Sequence, residues 1–363
     1  MLVEIDLYLN DLALLPGLSG HEQKVAAYMR TVFEAHGFDV NIDTLGNCIA
    51  TLPGTEKDAP VVMVFAHMDS LGFMVRYIEP DGFIRIERLG GIPEKVLPST
   101  QVAVGRRDGT YAQGVIGIKQ HHVTPPEEKY VVDKYMSLFV DIGAKSKGEV
   151  LEQGIDVGSP IVYKPRYQRL LGTKRLGTAM DNRSGCAALL MLSQMLAGKP
   201  QKSTICLVGT IWEEFNLRGA MMAARTVKPD IAIGIDGGAA SDTPDLAGRG
   251  SIRLGGGPVL THYNFHGRGT LNGTIPHPGM VRLMEEAAQK ANITFQRNAL
   301  VGGLTDASYL QLEQAGVKCV DIGAARRYTH GPCEVADIAD TQKLCQWVFA
   351  ALNTDFTCFD FSR

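Results

Sequence analysis

A histidine and an aspartate stand two residues apart where an apolar run of this sequence ends. The run Val61–Phe65 is followed by His67 and Asp69. On a strand, residues i and i+2 point to the same face, so the two side chains should project together from the end of the strand. Such a pair can be a metal ligand with its orienting carboxylate, or a hydrogen-bonded pair at the surface. The motif by itself leaves both interpretations open.

Further acidic and histidine residues stand beside other predicted strands and helices. They are Glu213 and Glu214 after the run 205–211, Asp236 after 231–235, His330 in the loop after 317–322, and Asp181 before the apolar segment 184–197. Each has a structural explanation when taken alone. Asp181 could cap the following helix, and the two glutamates could begin a solvated helix, where the dipole favours carboxylates. Asp236 and His330 could belong to turns.

Taken together, these residues predict a site for two divalent metal ions. In an open α/β sheet, ligands bind outside the carboxyl ends of the strands, where these side chains fall. Imidazole and carboxylate ligands suit zinc, cobalt or manganese, and a bridging aspartate can hold two ions roughly 3.5–4 Å apart. Of the adjacent glutamates, one would bind metal and the other would take a proton from bound water. Asp69 would hydrogen-bond the far nitrogen of His67 and fix its tautomer.

The predicted fold class is α/β, a mostly parallel sheet flanked by helices, with an inserted small domain that resembles a β-barrel. Strands are predicted at 61–66, 205–211, 231–235 and 317–322, and helices at 184–197, 217–226, 279–291, 306–315 and 340–352. Strands alternating with helices indicate a parallel sheet covered on both faces. Short alternating runs and Asp-Gly turns indicate the barrel. We predict a discontinuous catalytic domain of residues 1–71 and 166–363, interrupted by a β-rich insertion of residues 72–165.

Composition and charge exclude several classes of partner. The formal net charge of −3 gives no general attraction for nucleic acid or an anionic membrane. The seven cysteines include no CxxC pair, so they indicate reduced thiols rather than a zinc ribbon. The N-terminal residues are acidic where a secretory signal would be basic, and no apolar stretch approaches membrane-spanning length. We expect a soluble cytoplasmic protein with neither nucleic-acid nor membrane partners.

A series of motifs runs through essentially the whole chain. They are PGLSGHE at 16–22, AHMDSLGF at 66–73, GVIGIKQHH at 114–122, AMDNRSG at 179–185, WEEFNLRGA at 212–220, IGIDGG at 233–238, GGLTDAS at 302–308 and YTHGPCEV at 328–335. In this order, the sequence resembles the tetrahedral aminopeptidases, a family of dinuclear-metal peptidases also called glutamyl aminopeptidases and, in older usage, endoglucanases. The β-rich insertion between the first histidine and the MDNR motif matches that family.

The resemblance implies a role for each candidate residue. It implies that His67 and Asp236 bind one metal ion, that Glu214 and His330 bind the other, that Asp181 bridges both, that Glu213 is the general base and acid, and that Asp69 orients His67. It also implies that the insertion is a dimerisation domain and that dimers assemble into a hollow homododecamer. One of His121 and His122 could reach a neighbouring subunit's site, or both could be solvated loop residues.

Other polar residues have structural interpretations. Ser19 and Glu22 fit a capping box, in which Ser19 accepts from the helix backbone and Glu22 reaches back. Arg326 and Arg327 could favour an acidic side chain at the first position of a substrate. They could equally pair with surface carboxylates, and we predict the pairing.

The predicted function is removal of N-terminal residues from peptides by a metal-bound water that Glu213 activates. One alternative keeps the metals and changes the substrate, as a deacylase or amidohydrolase of small N-acyl compounds. Another is a glycan-acting protein, although glycoside hydrolysis usually uses a carboxylate pair without metals. A third is a non-catalytic assembly protein, which the complete set of ligands and base argues against. The preferred N-terminal residue does not follow from the sequence.

Overall fold

The computed structural model describes residues 1–267 and 272–362. The helices are, in chain order, α1 (Leu2–Ala13), α2 (Gln23–Ala35), α3 (Lys147–Glu152), α4 (Met180–Leu196), α5 (Gly219–Val227), α6 (Pro278–Lys290), α7 (Ala307–Leu310) and α8 (Ile338–Leu352). Short 3-10 turns lie at Glu94–Val96, His121–Val123 and Tyr135–Ser137. Within the described ranges, no helix has both the length and the apolar character needed to cross a membrane.

The strands are numbered in chain order. The first nine are β1 (Asp39–Ile42), β2 (Cys48–Leu52), β3 (Val62–His67), β4 (Gly72–Ile78), β5 (Ile84–Leu89), β6 (Gln101–Gly105), β7 (Tyr111–Ile116), β8 (Phe139–Asp141) and β9 (Pro160–Tyr163). Next come β10 (Tyr167–Arg169), β11 (Lys174–Gly177), β12 (Ile205–Thr210), β13 (Ile231–Ile235), β14 (Gly238–Ala239) and β15 (Val259–His266). The last are β16 (Asn272–Thr274), β17 (Gln296–Val301), β18 (Lys318–Gly323), β19 (Ala325–Arg327) and β20 (Glu334–Asp337).

A large mixed sheet forms the centre of the molecule, in the order β1-β2-β12-β3-β13-β18-β15-β16, with β17 paired to β15. The central strands β12, β3, β13 and β18 run parallel. Their continuous apolar sequences, such as VMVFAH in β3, are buried along their length, as expected for parallel strands covered by helices on both faces. The predicted α/β fold class is therefore confirmed.

A closed six-stranded barrel, β4-β5-β8-β7-β6-β9, follows the first parallel strand in the chain. Phe73, Ile86, Val102, Val140 and Ile161 belong to its own buried apolar cluster, separate from the clusters on the two faces of the central sheet. The predicted β-rich insertion is thus a barrel. The exact division of the chain into domains stays a prediction.

A second, smaller sheet has the strand order β10-β11-β20-β19-β14. Its strand β10 follows the last barrel strand, β9, in the chain. The tight connection from β19 to β20 carries His330, so the pairing of these strands fixes the position of that loop. Arg326 opposes Ala336 and Arg327 opposes Val335 in this antiparallel pair. This sheet therefore brings the last predicted metal ligand to the central sheet.

Two helices differ from their predicted bounds. The apolar helix predicted at 184–197 is part of α4, which begins earlier, at Met180. The backbone angles of Asp181 and Asn182, in the first turn of α4, are not helical. The helix predicted at 306–315 is only the four-residue α7, and Gln314 beyond it adopts a left-handed backbone with φ of +57°. Both differences arise from local backbone geometry that apolar periodicity does not reveal.

A buried ion pair ties α1 to the smaller sheet. Arg175 donates from Nε and Nη2 to the two carboxylate oxygens of Asp6, at 2.7 and 2.8 Å. Tyr167 also donates to Asp6. The bond from Arg175 lowers the pKa of Asp6 below its ordinary value, so the charged carboxylate is the form that the fold stabilises.

Replacing Asp6 with asparagine should lower the free energy of unfolding at pH 7 by about 3 kcal/mol, because it leaves Arg175 buried beside a neutral group. A carboxyl whose pKa is lower in the folded state stabilises the fold above its unfolded pKa and loses this effect as pH falls. The gap between wild type and variant should therefore narrow below about pH 4. Denaturant unfolding at several pH values measures this. The control is Glu34→Gln, which removes an exposed 2.7 Å pair with Arg30 and should change stability far less. A gap that stays constant with pH would contradict the role of the Asp6 charge.

Candidate metal centre

The predicted site residues converge at the carboxyl ends of the parallel strands. His67 is the last residue of β3 and is in register with Thr210, the last residue of β12. Asp236 directly follows β13. The structure brings the six acidic and histidine residues into two groups, each with one potential ligand atom per residue and all these atoms within 4.8 Å of one another. We call His67, Glu213 and Asp236 the first group, and Asp181, Glu214 and His330 the second group.

The second group has the spacing of ligands around one ion. His330 Nε2 lies 3.7 Å from Asp181 Oδ2 and 3.7 Å from Glu214 Oε1. Ligands about 2.0–2.1 Å from a tetrahedral zinc ion would be roughly 3.3–3.4 Å apart. His330 Nδ1 lies 2.7 Å from the Gly91 carbonyl oxygen, so donation to this carbonyl directs Nε2 toward the two carboxylates. Gly91 follows β5 of the barrel, which therefore contributes to the orientation of this histidine.

His67 of the first group is held by contacts with residues outside that group. His67 Nε2 lies 3.1 Å from Asp181 Oδ1, so Asp181 contacts both groups. His67 Nδ1 lies 3.1 Å from the main-chain oxygen of Asp69 and 3.6 Å from its carboxylate. The expected hydrogen bond from the ring to the Asp69 carboxylate is thus replaced by one to the Asp69 carbonyl. Residue 69 still orients the ring, but mainly through its backbone.

The Asp69 carboxylate instead holds the backbone of the two glutamates. It accepts from the amide of Glu213 at 3.0 Å and from the amide of Glu214 at 3.1 Å. Ser19 Oγ donates to the same carboxylate at 2.6 Å. Burial alone would raise the pKa of Asp69, but contacts with His67, Ser19 and the Glu213 amide lower it. A charged Asp69 therefore fixes the turn that places one glutamate in each group.

The predicted capping box is wrong. Helix α2 begins at Gln23, and the Ser19 hydroxyl donates to Asp69 rather than accepting from the helix backbone. Glu22 accepts from the amides of Gly20 and Trp212 at 2.8 and 3.4 Å. The sequence pattern resembles a cap because serine and glutamate side chains can form hydrogen bonds with nearby backbone groups. The same side chains can equally bond to groups that are distant in the sequence, as they do here.

The carboxylates of the site are crowded and shielded from water. Burial raises the pKa of Glu213 well above its usual range, opposed by His67 and reinforced by Glu214. Burial also raises the pKa of Glu214 to about 7, and it raises that of Asp236. Carboxylates held this close need protons or cations to offset their repulsion. Imidazole nitrogens and carboxylate oxygens are ligands for divalent ions, so the donor set fits a metal centre.

Arg326 supplies one positive charge to this cluster. Its Nη2 lies 2.9 Å from Asp181 Oδ1 and 3.0 Å from Asp236 Oδ1. Arg327 instead forms a two-bond pair with Asp242 at 2.6 and 2.8 Å. Both arginines pair with carboxylates, as predicted, but Arg326 does so inside the site rather than at the surface. Both guanidinium groups are therefore engaged by carboxylates of the chain itself.

Several residues beside the site adopt backbone conformations that are rare outside glycine. Ala179, Trp212 and His330 have φ of +53°, +56° and +70°. Each is a candidate ligand or lies within two residues of one. Left-handed non-glycine residues persist where the surrounding structure over-determines them, which is common at functional sites.

The family follows from comparison with known proteins. Residues 46–346, most of the chain, match the family described as M42 glutamyl aminopeptidase. This chain belongs to the M42 family. It is 40% identical to the putative aminopeptidase SgcX of Escherichia coli K12 over 89% of this chain and 86% of that protein.

Two solved structures extend the comparison of this M42 chain. The aminopeptidase APDkam598 of the archaeon Desulfurococcus kamchatkensis has a TM-score of 0.89 at 32% identity, covering 98% of this chain and 95% of that one. The Pyrococcus horikoshii TET1 peptidase can assemble into a tetrahedron or a large octahedral shell. It has a TM-score of 0.84 at 27% identity, covering 95% of this chain and 98% of that one.

Membership of the M42 family establishes a metal-dependent aminopeptidase. The predicted family and enzyme class are confirmed. The alternatives of a deacylase and of a glycan-acting protein are not favoured.

Sequence reasoning missed three residues that position the M42 site: Ser19, Gly91 and Glu334. Glu334, at the start of β20, accepts from the amides of Asp181 and His330 at 2.8 and 2.5 Å, so it holds two candidate ligands at once. A glutamate four residues after His330, at the start of a buried strand, was a signal for it. No comparable sequence signal exists for Gly91, since only its carbonyl acts.

Replacing Ser19 with alanine should reduce aminopeptidase kcat about tenfold to a hundredfold, the usual cost of losing a group that orients a metal-site residue. The Asp69 carboxylate would still accept from the backbone amides of Glu213 and Glu214. It would lose the hydrogen bond from the Ser19 hydroxyl, the shortest of the three. Metal content and kcat measured together check this, because a purely structural role would change stability alone. Ser193→Ala removes another buried serine hydroxyl, bonded to Leu190 O at 2.7 Å, and should leave kcat unchanged. Equal kcat values for both variants would contradict the role of Ser19.

Proposed function

We propose that this aminopeptidase binds two divalent ions and uses Glu213 to move the proton during hydrolysis. Asp181 is the bridging ligand, His67 and Asp236 bind one ion, and Glu214 and His330 bind the other. Asp69 is the orienting residue. One observation carries the proposal: the adjacent glutamates lie one in each group, while Asp181 presents Oδ1 to His67 and Oδ2 to His330.

The proposed reaction is hydrolysis of the first peptide bond. Divalent ions bound here would polarise the scissile carbonyl and lower the pKa of the attacking water. Glu213 accepts the proton of that water and passes it to the nitrogen of the departing peptide, so that it ends as a carboxylate again. Burial, which raises the pKa of Glu213, suits a group that must hold a proton between these two steps.

Zinc or cobalt is the proposed metal, with manganese as a further candidate. Each group offers one imidazole and two carboxylates, and no thiol belongs to either group. Such a donor set suits these ions better than it suits copper(I). The three metals accept the same ligands, so direct metal analysis of the purified protein decides among them.

The cleft beside the site has room for the end of a peptide. Its walls include Gly91, His266, Leu300, Leu304 and Thr329, and its floor holds the candidate ligands. Apolar and small side chains face the cleft from the 300–304 segment, while the charged groups on the floor are engaged with one another. Peptides are therefore the proposed substrates.

The experiment that tests the proposal compares unblocked aminoacyl anilides and short peptides with their N-acetylated counterparts. We expect cleavage of unblocked substrates, loss of activity after chelation, and recovery when Zn²⁺, Co²⁺ or Mn²⁺ is added. Faster cleavage of the N-acetylated compounds would replace the proposal with a deacylase. Full activity in chelated protein would overturn the metal-dependent mechanism.

We further propose that residues 1–71 and 166–363 form the catalytic domain and that residues 72–165 mediate self-association into a homododecamer. The separate apolar cluster of the barrel supports the division, and the shell-forming TET1 peptidase supports the assembly. Light scattering coupled to size exclusion tests it. A cytoplasmic location is also proposed, supported by seven free cysteines, five of them buried.

A further inference from the structure

The guanidinium of Arg326 sits within the first group of ligands. Its Nη2 lies 2.9 Å from Asp181 Oδ1 and 3.0 Å from Asp236 Oδ1. His67 Nε2 approaches the same Asp181 oxygen at 3.1 Å. The oxygens that would bind an ion beside His67 are therefore already occupied by donors of the protein itself.

The position of Arg326 is built into the fold. Its Nη1 donates to Asn182 Oδ1 at 3.2 Å and to the Met180 carbonyl at 3.3 Å, and the residue is only 3% exposed. A Cβ on Gly237 would lie 2.2 Å from Arg326 Cζ, so the guanidinium packs against a site that only glycine leaves open. The guanidinium therefore has little freedom to swing out of the cluster.

In the second group, Arg326 contacts only the shared residue Asp181, through Oδ1. Among the described residues, Glu214 pairs with His330 but with no arginine or lysine. The contacts of His330 Nε2 with Glu214 and Asp181 Oδ2 are 3.7 Å, too long for hydrogen bonds and suited to ligands around an ion. The two positions share Asp181 but differ in the charge already beside them.

We propose that Arg326 makes the two metal positions unequal, so that the position between His67 and Asp236 binds a divalent ion more weakly than the position between Glu214 and His330. This inference rests on the proposed dinuclear site. An ion in the first position must draw Asp181 Oδ1 and Asp236 Oδ1 away from a fixed cation and then remain next to it. Repulsion at such short range is worth about tenfold or more in affinity.

An unequal pair of positions would make activity depend on metal supply. At low metal concentration the position beside His330 is filled and the position beside His67 is empty. Activity that requires both ions then rises only when metal reaches the range of the weaker position. The chain would respond to the concentration of free divalent ions.

The experiment is calorimetric titration of the full-length, metal-free protein with Co²⁺, together with its metal content after dialysis. Wild type should give two binding events whose affinities differ about tenfold or more. Arg326→Gln should strengthen the weaker event and bring the two together. Arg326→Lys keeps the charge, and Arg327→Gln removes the neighbouring arginine that pairs with Asp242, so both should behave as wild type.

Two further variants assign the events. Glu214→Gln should remove the tight event, and Asp236→Asn should remove the weak one. Two equal events in wild type, or an isotherm for Arg326→Gln that matches wild type, would overturn this inference and leave the dinuclear site intact. No binding in any of the proteins would overturn the site itself. If Arg326→Gln fails to fold, the wild-type isotherm still decides, since it must contain two unequal events.

Discussion

Glu213→Gln should reduce kcat for unblocked peptide substrates by about a hundredfold to ten-thousandfold while both divalent ions stay bound. Losses of this size are typical when a general base is removed. Glutamine has nearly the same shape as glutamate. The backbone N–H of residue 213, which donates to the Asp69 carboxylate at 3.0 Å, is unchanged, so the turn should persist. Glutamine cannot take the proton of the attacking water, and therefore the chemical step alone should fail.

The neighbouring residue provides the matched control. Glu214→Gln makes the same substitution, glutamate to glutamine, at the next residue of the chain. Glu214, however, belongs to the second group with Asp181 and His330. We expect this variant to lose an ion as well as activity. Metal analysis alongside steady-state kinetics separates the two variants. If Glu213→Gln lost metal and Glu214→Gln kept it, the assigned roles of the two glutamates would be reversed.

The strand ends of the site could be predicted because one physical pattern governs them. Parallel strands buried on both faces are continuous apolar runs, and the residues that follow such runs meet at one edge of the sheet. Asp236 directly follows its run, and His67 and Glu213 each come two residues after theirs. For these residues, the sequence pattern and the three-dimensional position have the same cause, and the structure brings them together.

Asp181 and His330 depended more on resemblance than on pattern. Asp181 lies where α4 departs from helical geometry, and its amide is held by Glu334, 153 residues later in the chain. His330 has a left-handed backbone and is oriented by the Gly91 carbonyl of the barrel. Contacts over such sequence distances have no periodic signature, so local patterns could only suggest a helix cap and a turn.

Arg326 illustrates a different limit. The side chains of adjacent residues on a strand point to opposite faces of the sheet. Which of two adjacent arginines is buried, and which carboxylate it meets, can be predicted only when the residues that face them are known. Arg327 reaches Asp242, whereas Arg326 turns toward Asp181 and Asp236. The sequence pattern predicted carboxylate partners for both. Which of the two would enter the metal site depended on the pairing of β19 with β20.

Asp181→Asn should abolish peptide hydrolysis and lower bound metal from two ions to at most one per chain. Asp181 is the residue that contacts both groups, with Oδ1 at 3.1 Å from His67 and Oδ2 at 3.7 Å from His330. Asparagine keeps the backbone amide that donates to Glu334 but offers one neutral oxygen in place of two charged ones. A single neutral oxygen cannot bridge two dications, so the pair of ions should not persist.

The control for this variant must lose a buried carboxylate elsewhere. Asp340 is 1% exposed and accepts from the amides of Gly255 and Gly257 at 2.7 and 2.9 Å, in helix α8 and outside both ligand groups. Asp340→Asn should lower stability while metal content and kcat stay near wild type. Elemental analysis after dialysis, with kinetics on the same samples, compares the two. Two ions retained by Asp181→Asn would mean that the positions are held independently, and the bridging role of Asp181 would be wrong.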